Sequence, residues 1–204
     1  MTTRTMVGLR RRGLWLEYLT IAWNVVEAVI AVAAGLAASS IALVGFGFDS
    51  TIEVAAAAVV VWQFRSEMRG GVDENDEHRA LRVIAVTFFV LAAYVMVEAI
   101  RTLVTQESPE TSTVGIVLAA VSLVVMPALA WLKRQTALRM GSQTLLADSA
   151  ETLLCAWLSA ILLGGLVLNS TFGWWWADPV AALGIAYLAV REGLEAWSDD
   201  HHAH

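Results

Sequence analysis

The sequence Gly45-Phe-Gly-Phe-Asp-Ser-Thr-Ile-Glu53 places two carboxylates inside one of the most apolar segments of the chain. Asp49 and Glu53 are four residues apart, so on a helix they lie one above the other on the same face. The flanking segments, Ile41–Val44 and Val54–Val61, are apolar enough for a helix that crosses a membrane. An ionisable side chain there costs about 2.5–3.5 kcal/mol on insertion scales and by default marks an ion or proton path. This stretch therefore predicts a membrane helix with a functional polar face.

The overall composition is that of an integral membrane protein. Hydrophobic residues make up 58% of the 204 residues, and charged residues only 16%. The mean hydropathy is +0.64, far above that of ordinary soluble domains. Several acids lie within apolar segments, so the net charge of −6 does not indicate a basic partner. No basic stripe follows the N-terminal arm, which argues against nucleic-acid binding. The single cysteine, Cys155, excludes an internal disulfide and a CxxC metal clip.

Apolar segments of membrane-spanning length predict an all-α polytopic membrane protein with six transmembrane helices. The predicted helices are Leu14–Ala37, Ile41–Phe64, Ala80–Val104, Val114–Leu132, Gln143–Leu168 and Trp174–Ala196. The first is interpreted as an uncleaved helix, because its apolar run is longer than the core of a signal peptide. Hydrophilic residues predict a loop at Arg65–Arg79 and another at Lys133, Arg134 and Arg139.

The predicted domain organisation is a basic arm at residues 1–13, a transmembrane cation-transport domain at 14–197 and a polar tail at 198–204, with no soluble domain after the last helix. Of the 13 Lys and Arg residues, only Arg101 lies near the opposite side of the membrane from the others. The positive-inside rule therefore predicts cytoplasmic N and C termini. The expected location is a bacterial-type plasma membrane. Trp174-Trp175-Trp176 is expected to anchor helix six at the outer interface. The tail histidines, His201, His202 and His204, are expected to be solvated.

A second polar face lies on predicted helix five. Asp148, Glu151 and Cys155 have the i, i+3, i+7 spacing of a single helix face. Glu53 and Cys155 fall near the midpoints of two helices that run in opposite directions. Asp49, Glu53, Glu151 and Cys155 therefore lie at one level of the bilayer, and together they are the candidate ligands of one cation.

Other buried acids are assigned supporting roles. Asp148, further toward the cytoplasm, is favoured as a group that orients a ligand over a group that binds the ion directly. Glu27 on helix one, with Asn24 one turn earlier, is a candidate lining of the cation path. Glu98 is expected to pair with Arg101 at i, i+3.

At these motifs the chain resembles the transmembrane domain of the cation diffusion facilitator family. The family's helix-two pattern, [His/Asp]-x-x-x-Asp, aligns with Asp49-Ser-Thr-Ile-Glu53, and its helix-five pattern, Ala-Asp-x-x-[His/Asp]-x-x-x-Asp, aligns with Ala147 to Cys155. The Asp178-Pro179 pair after the tryptophans is also similar. The resemblance implies a homodimeric, proton-coupled exporter of divalent metals, usually zinc, that works by alternating access. Glu53, Glu151 and Cys155 depart from the family's usual residues. The family's cytoplasmic C-terminal domain and its His-rich loop are expected to be absent.

The chemistry of the four candidate ligands narrows the choice of cation. Carboxylates with a thiolate favour Zn²⁺, with Fe²⁺, Co²⁺ and Cd²⁺ as alternatives, over Mg²⁺ or Ca²⁺. Protons compete with the metal for such ligands, so Glu151 and Cys155 are predicted to carry protons as well as metal. The expected partners are a divalent metal ion, protons, membrane lipid and a second copy of the chain.

Two alternatives from other classes stay open on the sequence. An intramembrane aspartyl protease is one, because Gly45-Phe-Gly-Phe-Asp49 differs from a Gly-x-Gly-Asp signature by one extra residue. That enzyme needs a second aspartate, and Asp148 is the one deep candidate. A membrane metal sensor that does not transport is the other. Haem binding is disfavoured because all four histidines lie outside the predicted spans.

Overall fold

The computed structural model describes residues 3–69, 74–107 and 109–199, and within these ranges it has six α-helices and no strand. The helices are α1 Thr3–Ala38, α2 Ile41–Arg69, α3 Glu74–Thr105, α4 Thr113–Met140, α5 Gln143–Phe172 and α6 Ala177–Asp199. In the described residues, segments of α1 to α5 are long and apolar enough to cross a membrane. The prediction of an all-α membrane protein is therefore confirmed.

The helices pack with their polar side chains inward and many large apolar side chains outward. The pairs α1 and α2, α4 and α5, and α3 and α6 make the most extensive contacts, and α2 also contacts α3, α5 and α6. Val29, Val97 and Val124 are largely exposed, whereas Glu17 and Glu27 are fully buried. This pattern is the reverse of a soluble protein's and suits a bundle surrounded by lipid.

Small residues allow α1 and α2 to pack closely. A Cβ atom added at Gly47 would lie 2.7 Å from Val32 Cγ2 and 3.0 Å from the Val32 backbone nitrogen. A Cβ atom at Gly35 would lie 2.8 Å from the Val44 backbone nitrogen. Because backbone atoms cannot move aside as a flexible side chain can, these two glycines fix the distance between the helices. The close contact positions the part of α2 that carries Asp49.

We expect Gly47→Ala to destabilise the helix bundle by about 1–3 kcal/mol, the usual cost of overpacking. The matched control is Gly164→Ala on α5, where an added Cβ would have no neighbour within 4 Å. There the better helix propensity of alanine should leave stability equal or slightly higher. Unfolding of both variants by SDS in detergent micelles measures the difference. Equal stability of the two variants would contradict the close α1–α2 contact.

Asp178 joins the start of α6 to the start of α2. Its carboxylate accepts hydrogen bonds from Ser40 Oγ and from the backbone nitrogens of Ile41 at 3.0 Å and Ala42 at 3.4 Å. A negative charge is favourable at a helix N-terminus, where backbone N–H groups lack partners within the helix. Pro179 follows in the first turn of α6, where a missing N–H is tolerated. Asp178 therefore ties the N-terminus of α6 to the N-terminus of α2.

The ends of the helices differ from those predicted. Helix α1 begins at Thr3 and not near Leu14, so most of the predicted basic arm is helical. Helix α2 continues to Arg69 and α3 begins at Glu74, which shortens the loop predicted at Arg65–Arg79. Arg, Glu and Lys are good helix formers, so a helix continues into water beyond its apolar part.

The end of α4 and the start of α6 also differ from the predicted helix boundaries. Helix α4 continues to Met140, so Lys133, Arg134 and Arg139 are helical and do not form a loop. Helix α6 begins at Ala177, after the three tryptophans.

The expected pair of Glu98 and Arg101 is confirmed, with 3.4 Å between the charged atoms. The tail histidines, His201, His202 and His204, lie outside the described residues.

Candidate metal centre

Helices α2, α5 and α6, with one side chain from α3, line a small, partly open cavity of about 30 Å³. A space of this size holds about two water-sized species. Its lining residues are Asp49, Glu53, Ala56, Phe88, Glu151, Leu154, Cys155, Leu158 and Glu192. All four candidate ligands predicted from the sequence thus line one cavity, together with a fourth carboxylate that was not predicted.

Asp49 and Cys155 form the direct contact between the two polar faces. The Cys155 thiol donates a weak hydrogen bond to Asp49 Oδ2, with 3.7 Å between sulfur and oxygen. Asp49 is 7% exposed and Cys155 is 3% exposed, so both groups are shielded from solvent. Asp49 and Glu53 on α2 therefore line the same cavity as Glu151 and Cys155 on α5. Their role as metal ligands stays a prediction.

Glu53 lies one turn beyond Asp49 and is 7% exposed. Both of its carboxylate oxygens are shielded and have no hydrogen-bond partner among the residues that the structure describes. A buried carboxylate without a partner costs several kcal/mol, so native proteins seldom keep one without a bound ion, proton or water. The orphaned oxygens are free to bind a cation, a proton or water in this cavity, and the donor set around them suits a borderline divalent metal.

Glu192 on α6 is the functional candidate that sequence reasoning missed. In the sequence its position next to Arg191 resembles the charged end of a membrane span. The buried residues Ala182, Ile185 and Ala189 precede it at spacings of three and four, and Glu192 continues their face of the helix. That spacing was the available indication that Glu192 faces inward.

The candidate ligands line the cavity without forming a closed coordination shell. Across the described ranges, no three His, Cys, Asp or Glu side chains are arranged closely enough to hold a metal ion. Asp49 and Cys155 are in contact, while Glu53, Glu151 and Glu192 lie around the same space. A cation binding here has to draw these side chains inward.

Asp148 does not line the cavity and is instead held by a buried lysine. Lys133 Nζ lies 2.5 Å from Asp148 Oδ2 and 3.1 Å from Glu17 Oε2. The same ammonium donates to Thr152 Oγ1 at 3.1 Å. Lys133 was predicted to lie in a loop, but it is fully buried in α4. The supporting role predicted for Asp148 therefore fits its position better than direct binding of the ion.

Glu27 and Asn24 also lie away from the cavity wall. Glu27 accepts hydrogen bonds from Ser50 Oγ at 3.0 Å and from Ser122 Oγ, so it links α1, α2 and α4. Ser50 is adjacent in sequence to Asp49, so this cluster lies next to the candidate site but outside the lining of the cavity. Both amide atoms of Asn24 are buried and have no hydrogen-bond partner in the described part of the chain. Neither residue is brought into the group that lines the cavity.

Acidic groups around a cavity inside a helical membrane protein are typical of ion and proton pathways. The chain belongs to the cation efflux family: residues 18–200 match the model of the cation efflux transmembrane domain. The family resemblance inferred from the motifs is thereby confirmed. Because members of this family are transporters, the aspartyl protease alternative is rejected.

Individual relatives share low identity with the chain. It is 24% identical over 160 residues to uncharacterized transporter sll1263 of Synechocystis sp., covering 76% of this chain and 52% of that protein. It is 22% identical over 191 residues to transmembrane protein 163 of Xenopus laevis, and the match covers 93% of this chain and 68% of that protein. It is 34% identical over 86 residues to the cation-efflux pump FieF of Shewanella oneidensis, and the match covers 42% of this chain and 29% of that protein. The chain thus spans about half the length of the Synechocystis relative and less of FieF.

Proposed function

We propose that this protein exports divalent transition-metal cations in exchange for protons and binds the ion between α2 and α5. The proposed ligands are Asp49, Glu53, Glu151 and Cys155. The observation that carries the proposal is Glu53, whose two buried oxygens have no partner among the described residues and face the cavity that the Cys155 thiol also lines. Membership of the cation efflux family supports the transport of a cation.

The proposed cargo is Zn²⁺, with Fe²⁺, Co²⁺ and Cd²⁺ as alternatives. Carboxylate oxygens alone bind hard cations such as Mg²⁺ and Ca²⁺, but a thiolate shifts the preference toward borderline and soft metals. Cys155 is the one cysteine in the chain, so this preference depends on a single atom. Glu192 is a further oxygen donor at the same cavity.

Proton coupling follows from the competition of protons and metal for the same groups. Ligands must lose their protons to bind a cation, so metal binding releases protons. A proton that enters from the outer side then displaces the metal. In this proposal Glu151 and Cys155 carry both protons and metal, and the helices rock around the site so that it opens to one side at a time.

The proposed protein is a homodimer with both termini of each chain in the cytoplasm. The bias of basic residues supports cytoplasmic N and C termini in a bacterial-type plasma membrane. The family resemblance supports a homodimer. The stacked rings of Trp174 and Trp176, with centroids 5.2 Å apart, support an aromatic anchor at the outer interface.

Zn²⁺ flux into proteoliposomes under an imposed proton gradient tests this function. We expect Zn²⁺ to move against the direction of proton flow, and a protonophore that collapses the gradient should remove most of the flux. Mg²⁺ is the control cation and should show little transport. Metal binding without flux would support the alternative, a membrane metal sensor. Zn²⁺ flux at the same rate with and without the gradient would contradict proton coupling.

A further inference from the structure

A fully buried lysine lies among the membrane helices, close to the candidate metal centre. The ammonium of Lys133, on α4, contacts Glu17 on α1 and Asp148 on α5, and it also donates to Thr152 on α5. All four side chains are at most 4% exposed. A charged side chain inside a membrane bundle is costly and is rarely retained without a function.

The position of this cluster connects it to the ion. Thr152 is adjacent in sequence to Glu151, and Asp148 lies one turn before Glu151 on the same helix. The Thr152 hydroxyl also donates to the Asp148 carbonyl oxygen at 3.0 Å, which fixes its orientation toward the lysine. The Lys133 ammonium thus forms a charge–charge contact with Asp148 and a hydrogen bond to Thr152, the residues of this cluster that lie on either side of Glu151 in α5. Charge–charge interactions of this kind are strong in a protein interior, where little solvent screens them.

We propose that Lys133 is a positioning residue that holds Asp148 out of the ion site and sets the charge that the transported metal meets. This inference rests on the proposed function. Asp148 has the chemistry of a metal ligand and lies on the ligand-bearing helix, but its carboxylate is occupied by an intramolecular cation. Lys133 thereby keeps the affinity of the site low enough for the metal to leave.

The formal charges of Glu17, Asp148 and Lys133 determine the net charge beside the candidate site. Two carboxylates and one ammonium leave one net negative charge beside the site. Asp148→Asn removes that charge, while the further change Lys133→Met restores it when affinity is measured at a pH at which Glu17 is ionised. If Asp148 acts through its charge, the double variant resembles the wild type. If Asp148 is a ligand, the double variant stays as weak as the single one.

The experiment measures Zn²⁺ affinity of the purified full chain in detergent micelles by competition with a fluorescent chelator. We expect Asp148→Asn to weaken Zn²⁺ binding by about tenfold, the scale of one added unit of positive charge near a divalent ion. Asp148→Asn with Lys133→Met should return to within about threefold of the wild type. The matched control is Asp148→Asn with Arg134→Met, because Arg134 is exposed on the same helix. That control should not restore binding.

Failure of the double variant to recover affinity, or equal recovery by the Arg134 control, overturns the inference. Where Lys133→Met prevents folding, the absorption spectrum of bound Co²⁺ in Asp148→Asn decides. An unchanged spectrum supports the inference, and an altered ligand field shows that Asp148 binds the metal. Wild-type protein that binds no Zn²⁺ would overturn the proposed function itself, so the two failures are distinguishable.

Discussion

Glu53→Gln is expected to lower Zn²⁺ flux in proteoliposomes by about a hundredfold or more. The substitution keeps the shape of the side chain and removes its charge, so the cavity loses a buried carboxylate that has no partner in the described residues. Losing one charged ligand from a shielded site costs at least about 3 kcal/mol, which corresponds to that factor. The flux assay normalised to the amount of reconstituted protein measures the effect.

The control for Glu53→Gln is Glu98→Gln on α3. Glu98 pairs with the exposed Arg101 and does not line the cavity, so flux should stay within about twofold of the wild type, as expected when an exposed ion pair is lost. Thermal unfolding of both variants in detergent shows whether the fold is kept. Normal Zn²⁺ flux in a folded Glu53→Gln variant would contradict the assignment of Glu53 as a ligand.

Cys155→Asp is expected to change the metal preference more than the transport rate of the best metal. Replacing the thiolate with a carboxylate gives a site of oxygen ligands only, which favours harder cations such as Mn²⁺ over Cd²⁺. We expect the ratio of Cd²⁺ to Mn²⁺ flux to fall by about tenfold or more. A panel of metals in the same proteoliposomes measures this ratio.

Cys155→Ala separates ligand chemistry from packing. Alanine supplies no donor atom, so Cys155→Ala should lower the Cd²⁺ to Mn²⁺ ratio as aspartate does and should also reduce the flux of every metal, because one ligand is missing. The same Cd²⁺ to Mn²⁺ ratio in the wild type and in Cys155→Asp would remove Cys155 from the ligand set.

Hydropathy predicted the number and order of the helices but not where they end. Apolar residues report the part of a helix that lies in lipid, while the helix itself continues as long as its residues favour it. Lys133 shows the consequence: a lysine after an apolar run usually marks the membrane boundary, but here α4 continues to Met140. Its partner Glu17 is 116 residues away, and no local pattern indicates such a contact.

The candidate site was predictable where its residues share one helix face. The spacing of Asp49 and Glu53, and of Glu151 and Cys155, brought all four to one cavity. Glu192 was missed because it comes from a third helix and lies beside Arg191 near the end of the apolar segment, where charged residues are common. Glu27 stays a predicted part of the cation path, and in the structure its carboxylate accepts hydrogen bonds from Ser50 and Ser122. Which helix faces meet depends on tertiary packing, and one sequence does not record it.

X-ray absorption spectroscopy of the Zn²⁺-loaded protein tests the central claim most directly. Because Cys155 is the single cysteine, a zinc ion in the cavity is expected to show one sulfur neighbour at about 2.3 Å and oxygen neighbours at about 2.0–2.2 Å. The sulfur neighbour should disappear in Cys155→Ala. A shell without sulfur in the wild-type protein would contradict the proposed centre of Asp49, Glu53, Glu151 and Cys155.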